Sequence, residues 1–244
     1  MNELRERFRF VFQLSLNEYR SFFYSPILYI VALVFLGFNG WLFVLPFFLK
    51  GQAELRDFFG ALPVIFVIIV PMLTMRLLSE ELNSGSYELI ATLPVKPVEI
   101  VLGKFLSSTY FIGLLLVPTI LYAVSVEVVG DLAWGPVIGG YLGAVLLGAA
   151  YAAIGLFTSS LTRNQIVAAI LGVIICLAFF LLDKTLILLP DALAGFLQYF
   201  SSDYHFQNIA KGVIDLRDLT YFASVIFVFL FATRLTMETK THRT

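Results

Sequence analysis

Charge is scarce in this 244-residue chain: 14% of residues are charged and 59% hydrophobic, with a mean hydropathy of +0.91. Soluble globular proteins carry roughly 25% charged residues, so a soluble globule of this size is excluded. Acids and bases nearly cancel, 17 against 16. There is no basic excess to hold nucleic acid and no acidic block to form a disordered tail. Cysteine is almost absent as well. Cys176 stands alone in an apolar run, which excludes an internal disulfide framework or a CxxC site and marks it as a small buried hydrophobe. The two histidines, His205 and His242, fall outside the long uncharged runs. No span therefore offers an imidazole as base to a serine or as a zinc ligand, and an intramembrane hydrolase is disfavoured. No GxxxxGK[ST] occurs. Gly103-Lys104 has Val98 at the first-glycine position and Phe105 where Ser or Thr should follow, so the chain is not expected to hydrolyse ATP itself or to hold a cofactor. Nor do the runs place Asp or Glu at mid-membrane, where proton-coupled carriers rely on them. A sodium site built of carbonyls would escape this last test.

What the chain has instead is six long uncharged runs: 26–49, 58–75, 105–126, 132–162, 164–182 and 219–233. A bilayer core takes about 20 apolar residues in a helix, and a charge at its centre costs roughly 2.5–3.5 kcal/mol, so each run predicts a transmembrane helix. Pro136 is expected to open the fourth helix and residues 158–163 to end it, giving spans at 26–49, 58–75, 105–126, 136–161, 164–182 and 219–237 within a single transmembrane domain, 1–244. The sixth run is short and is completed by Arg234 snorkelling. Arg5, Arg7 and Arg9 precede an apolar run too long for a signal peptide and without a cleavage site. An N-inside topology puts eleven Lys and Arg residues in the cytoplasm and leaves five outside (Lys50, Arg56, Lys184, Lys211 and Arg217). Both termini are expected to be cytoplasmic.

Three segments are not spans. Across residues 4–23, Leu4, Phe8, Val11, Phe12, Leu16, Tyr19 and Phe23 recur at steps of three and four, while Arg5, Arg9, Gln13 and Asn17 line the opposite face. This predicts an amphipathic helix in the membrane interface, seated by Phe8, Phe12 and Tyr19; the alternative is a helix docked on another subunit. Residues 76–104 form a cytoplasmic loop in which Ser84-Gly85-Ser86 breaks a helix and Pro94 stops a short one. That short helix is either a docking lever for a soluble partner or a surface turn. The segment 183–218 is too short to span twice and too apolar for a free loop, which predicts a re-entrant or interfacial hairpin on the outer side. Its aromatic residues Tyr199, Phe200, Tyr204 and Phe206 suit headgroup anchoring and could instead grip a substrate. Within the fourth run, Gly139 and Gly143 form one small-residue stripe and Gly140, Ala144, Gly148 and Ala152 another. Such stripes serve packing within the bundle or a dimer seam. Pro71 and Pro118 inside spans predict kinks.

The strings MRLLSEELNSGSYELIATLP (75–94) and EIVLGK (99–104) resemble the first cytoplasmic loop of type-2 ABC-exporter permeases, with their EE…SG(T/S)xE-L…P…I…GK pattern. GLFTSSLTRNQ (155–165) resembles that family's turn between the fourth and fifth spans. FFYSP (22–26) and FQNIAKGVIDLRD (206–218) look most like the gliding-motility-associated permeases within it. The resemblance implies an all-α membrane permease of the bacterial inner membrane. Its partners would be a separate ABC ATPase, which binds ATP and Mg, and a second permease half, the same chain or a related one. It further implies that Glu80, Glu81, Tyr87, Glu88, Leu89 and Arg163 couple to that ATPase. The alternative function is a mechanotransmission or assembly subunit that shares the fold and moves no solute.

Overall fold

The computed structural model describes residues 2–50, 54–86, 96–185 and 198–241, and among these the chain is helical with no strand. Proline sets two of the helix starts. α1 (Asn2–Phe23) ends before Pro26, which opens α2 (Pro26–Lys50). α3 (Arg56–Thr74) is followed, across Met75 alone, by α4 (Arg76–Ser84). α5 (Pro97–Leu116) has proline in its first turn, and the Lys96 N–H donates to Glu99 Oε2 at 3.1 Å to close that turn. A 3₁₀ turn at Val117–Thr119, containing Pro118, leads into α6 (Ile120–Val129), so the expected kink falls where proline removes a helical donor. α7 (Trp134–Leu161), α8 (Gln165–Thr185), α9 (Ser202–Ala210) and α10 (Leu216–Thr241) complete the order.

Six helical stretches are long and apolar enough to cross a membrane: Leu28–Leu45, Arg56–Ser84, Pro97–Val129, Trp134–Leu161, Gln165–Lys184 and Leu216–Lys240. Each contains one of the six uncharged runs or its greater part. The fold is an all-α multi-pass membrane domain. Outward faces of α2 (Ile30, Leu33, Trp41) and α10 (Phe227, Val228, Phe231) stay exposed and apolar, as lipid-facing surfaces must.

α7 is the hub, packing on α3, α4, α5, α8, α9 and α10. Its small residues make that crowding feasible. A side chain on Gly140 would meet the Phe59 ring of α3, one on Gly148 would meet Ile112 of α5, and one on Gly155 would overlap Thr74 of α3. The other stripe, Gly139 and Gly143, receives Ile209 and Phe206 of α9. Both stripes are thus occupied inside the chain.

α1 lies lengthwise on α5. Arg7 approaches Glu99 (3.8 Å), Leu14 fills the space over Gly103, Glu18 meets Lys104 and Phe22 stacks on Phe111 at 5.2 Å, so the pairs advance together along both helices. The docking stripe of Leu14, Ser15, Glu18 and Phe22 runs beside the apolar face that the periodicity identifies. Phe12 is left 48% exposed, and Tyr19 is half-buried against the rings of Phe23 and Tyr110. The side chain of Phe8 lies outside the described residues.

α9 runs antiparallel along the first two-thirds of α7: Ile209 on Gly139, Phe206 on Gly143, and Ser202 hydrogen-bonded to the Tyr151 hydroxyl at 2.7 Å. At 1.5 Å per residue, Tyr151 lies about 25 Å along α7 from its start. The other arm of the expected hairpin, residues 186–197, lies outside the described residues.

Candidate functional site at the junction of α1, α4 and α5

The short helix α4 buries Leu77, Leu78 and Leu82 on one face and exposes Glu80, Asn83 and Ser84 on the other, an amphipathic pattern that holds two turns against the bundle. Its first turn has no cap of its own. Ser159, near the end of α7, supplies one: its Oγ accepts the N–H of Leu78 (3.1 Å) and of Ser79 (3.0 Å) and donates to the Met75 carbonyl (2.6 Å). A hydroxyl has one donor and two acceptor positions, so all three are used. α4 ends at Gly85, whose φ of 73° is the left-handed conformation glycine adopts freely. Ser159→Ala leaves the Leu78 N–H, which has no helical acceptor, without its partner, at a cost of about 1–3 kcal/mol. Hydrogen exchange at the Leu78 and Ser79 amides should accelerate in the variant; unchanged protection there would show that the cap does not hold the helix.

Lys104, at the cytoplasm-proximal end expected for α5, is 2% exposed despite its charge. Its Nζ donates to Glu18 Oε1 of α1 at 2.7 Å and to Glu81 Oε1 of α4 at 2.6 Å. Three helices thus meet at one ammonium. The neighbouring Gly103 sets the approach, since a Cβ there would come within 2.7 Å of Leu14 Cδ2. Glycine brings α1 onto α5, and the lysine one residue later fixes its register through Glu18. Two carboxylates against one ammonium leave one formal negative charge, and the second oxygen of Glu81 is buried without a hydrogen-bond partner among the described residues. Arg76 stands nearby, 4.9 Å above the Phe22 ring, on the cleft that Asn17, Glu18, Glu80 and Glu81 also line. That cleft, about 490 Å³, opens beside Ser84 and Ser86. The arrangement is a mechanical junction in which moving one helix alone would strip a buried charge of its partner.

The structure brings two of the six residues expected to couple to the ATPase onto this cleft. Glu80 is exposed on its rim, whereas Glu81 turns inward to Lys104. Arg163 is exposed in the turn after α7, where Asn164 Oδ1 caps α8 by accepting the Ile166 N–H at 2.9 Å. Tyr87, Glu88 and Leu89 lie outside the described residues. Sequence reasoning passes over Lys104, Glu18 and Ser159. Lys104 was legible as the lysine of the GK pattern, a charge set directly before an uncharged run, but nothing local names its partners.

Comparison with curated proteins yields no match to this chain. A family model described as ABC-2 family transporter protein matches residues 14–205, from the docking stripe of α1 to His205 in α9. The matched stretch covers most of the chain and contains Glu18, Glu81, Lys104 and Ser159, the four residues that tie the junction together, and the chain therefore belongs to the ABC-2 transporter family of membrane proteins.

Proposed function

We propose that this chain is the permease subunit of an ATP-driven transporter in the bacterial inner membrane. Its termini face the cytoplasm, and its α1–α4–α5 junction receives the movement of a separate ABC ATPase. The observation that carries this reading is the Lys104 junction, because it flanks the segment 87–95 on both sides. On one side α4 is pinned by Ser159 and Glu81; on the other, α5 begins at Pro97 with Glu99 closing its first turn. A partner bound to the intervening segment would push directly on α4 and α5, and through Lys104 on α1. The aromatic Tyr87 is the best anchor and Glu88 the best polar contact, since aromatics dominate interface energetics and charges orient the encounter. Glu80 and Arg163 extend the contact, Leu89 adds apolar surface, and ATP with Mg belongs to the partner. The Lys and Arg distribution supports the orientation, and the second permease half is a copy of this chain or a related permease. Within the family, the strings at 22–26 and 206–218 favour the gliding-motility-associated type. The depth that α9 reaches along α7 favours a re-entrant hairpin on the outer side.

The reading is tested by Tyr87→Ala combined with Glu88→Ala. Co-purification of the ATPase with the permease should fall about tenfold or more, as expected for loss of an interface anchor, while the permease alone keeps its detergent-extracted yield. Wild-type co-purification together with unchanged complex-dependent ATP turnover would remove the ATPase from this site.

A further inference from the structure

At the end of the bundle away from the chain termini, a second buried charged group has no part in the junction above. His205 of α9 and Asp218, in the first turn of α10, are each 3% exposed. His205 Nδ1 lies 2.6 Å from Asp218 Oδ1, and its Nε2 lies 3.0 Å from the Tyr199 carbonyl oxygen. The ring stacks on Tyr221 of α10, centroids 4.1 Å apart, and Tyr221 in turn donates its hydroxyl to the Phe200 carbonyl at 2.8 Å. One imidazole therefore fastens the 199–200 turn, α9 and α10 together.

The hydrogen-bond inventory fixes how many protons this arrangement needs. A carbonyl oxygen and a carboxylate oxygen only accept, whereas a neutral imidazole has one N–H and one lone pair. Both ring nitrogens face acceptors. The geometry is satisfied only when the pair holds one proton more than a neutral histidine beside a carboxylate, either as imidazolium and carboxylate or as neutral imidazole and carboxylic acid. In both forms the pair is electrically neutral. Without that proton, a buried ring lone pair points at an oxygen and the pair carries a net negative charge. Asp218 Oδ2, buried without a hydrogen-bond partner among the described residues, offers nothing to relieve it.

The surrounding groups do not substitute for the proton. On α9, Asp203 is engaged by Lys184 of α8 at 2.7 Å, and the edge of Tyr204 meets the His205 ring at 5.3 Å. From α7 the nearest titratable group is Tyr151, whose hydroxyl is bonded to Ser202. From α3 and the residues before it, Arg56 and Glu54 line a separate cavity with Lys211, beyond the far end of α9. From α10 and the turn before it, Arg217 and Asp215 are exposed and line the cavity of about 220 Å³ beside the pair, giving protons and water a route to it.

We infer that His205 and Asp218 form a proton-binding site that latches α9 to α10, closed when the pair holds its extra proton and released when it is lost. Histidine is the side chain whose charge changes nearest physiological pH. The inference rests on the proposed orientation only in assigning the sensed pH to the outer side; the latch itself follows from the hydrogen bonds.

The test uses the full chain in detergent, where both faces see one pH, so its outcome is independent of ATPase docking. In a Cys176→Ala background, Asn208→Cys reports on the cavity beside the pair, and Asn83→Cys, at an exposed position on α4 away from that cavity, reports the intrinsic pH dependence of thiol labelling. The ratio of maleimide labelling rates, Asn208→Cys over Asn83→Cys, should rise about tenfold between about pH 5.5 and about pH 9. Asp218→Asn should hold the ratio low at every pH, because the introduced amide donates to Nδ1 and the neutral ring then needs only its Nε2–H for the Tyr199 carbonyl. His205→Ala should hold it high at every pH. A flat ratio in the parent background, or a rise that persists in Asp218→Asn, would overturn the proton site.

Discussion

Lys104→Met should be among the most destabilising single changes available in this chain. The substitution keeps the length and apolar stem of the side chain but removes the ammonium, leaving Glu18 and Glu81, 21% and 18% exposed, without the cation that both contact and with only Arg76 across the cleft as a counter-charge. Breaking a buried ion pair by deleting one partner costs about 3–5 kcal/mol, because the remaining charge stays desolvated. Here two like charges remain, so the upper half of that range is expected. For a domain of this size that corresponds to a fall in thermal midpoint on the order of 10 °C, measured on the detergent-solubilised protein, with α1 becoming accessible to protease first. A triple variant, Lys104→Met with Glu18→Gln and Glu81→Gln, removes every charge and should recover most of the loss. A change of less than about 1 kcal/mol in Lys104→Met, within the range of surface ion pairs, would mean that the three helices are held by packing alone. Equal losses in the single and triple variants would mean that the effect does not come from the carboxylates left without their ammonium.

The parts of this fold legible in the sequence are those governed by local chemistry. A span announces itself by a long run without charge, from 31 residues in the fourth run to 15 in the sixth, and each of the six runs falls wholly or largely within a helix long enough to cross a membrane. Gly85 marks the end of α4 because a left-handed residue is needed there, and Pro118 marks the kink because it lacks a donor. The residues left unread are joined over distance. Glu18 is 86 positions from Lys104, and Ser159 is 81 from Leu78. Glu81 shows the consequence: as one of two adjacent carboxylates it carries no sign of which way it faces, and it faces inward while Glu80 does not. The apolar face of α1 is equally ambiguous, since periodicity reveals an amphipathic helix but not that the stripe docking on α5 would include Glu18. His205 and Asp218 are invisible for the same reason: a histidine among aromatic residues suits an interfacial belt until its two ring nitrogens are seen to face two oxygens.

Gly139→Ala should detach α9 from α7. A Cβ on Gly139 would overlap the carbonyl oxygen of Ile209 and come within 3.1 Å of Gly212 Cα. Both obstacles are backbone, so no rotamer change relieves them. Gly212 cannot easily yield, because it sits at φ 85° where other residues are strained, and its own hydrogen-side face is closed by the Gly135 carbonyl carbon at 2.9 Å. Overpacking a well-filled core costs about 1–3 kcal/mol when side chains can adjust; with backbone on both sides the upper end or more is expected. The contrast is Gly143→Ala, four residues along the same stripe, where the nearest atoms are side-chain carbons of Phe206 and Ile209 at 3.2–3.3 Å. That neighbour can move by a few tenths of an ångström, and the cost should be below about 1 kcal/mol. The Tyr151–Ser202 hydrogen bond gives a local readout for both variants: amide exchange across residues 202–210 should rise steeply in Gly139→Ala and little in Gly143→Ala. Equal protection in the two would show that α9 is not held by its close approach to α7, and the stripe would then have to be assigned to contacts outside this chain.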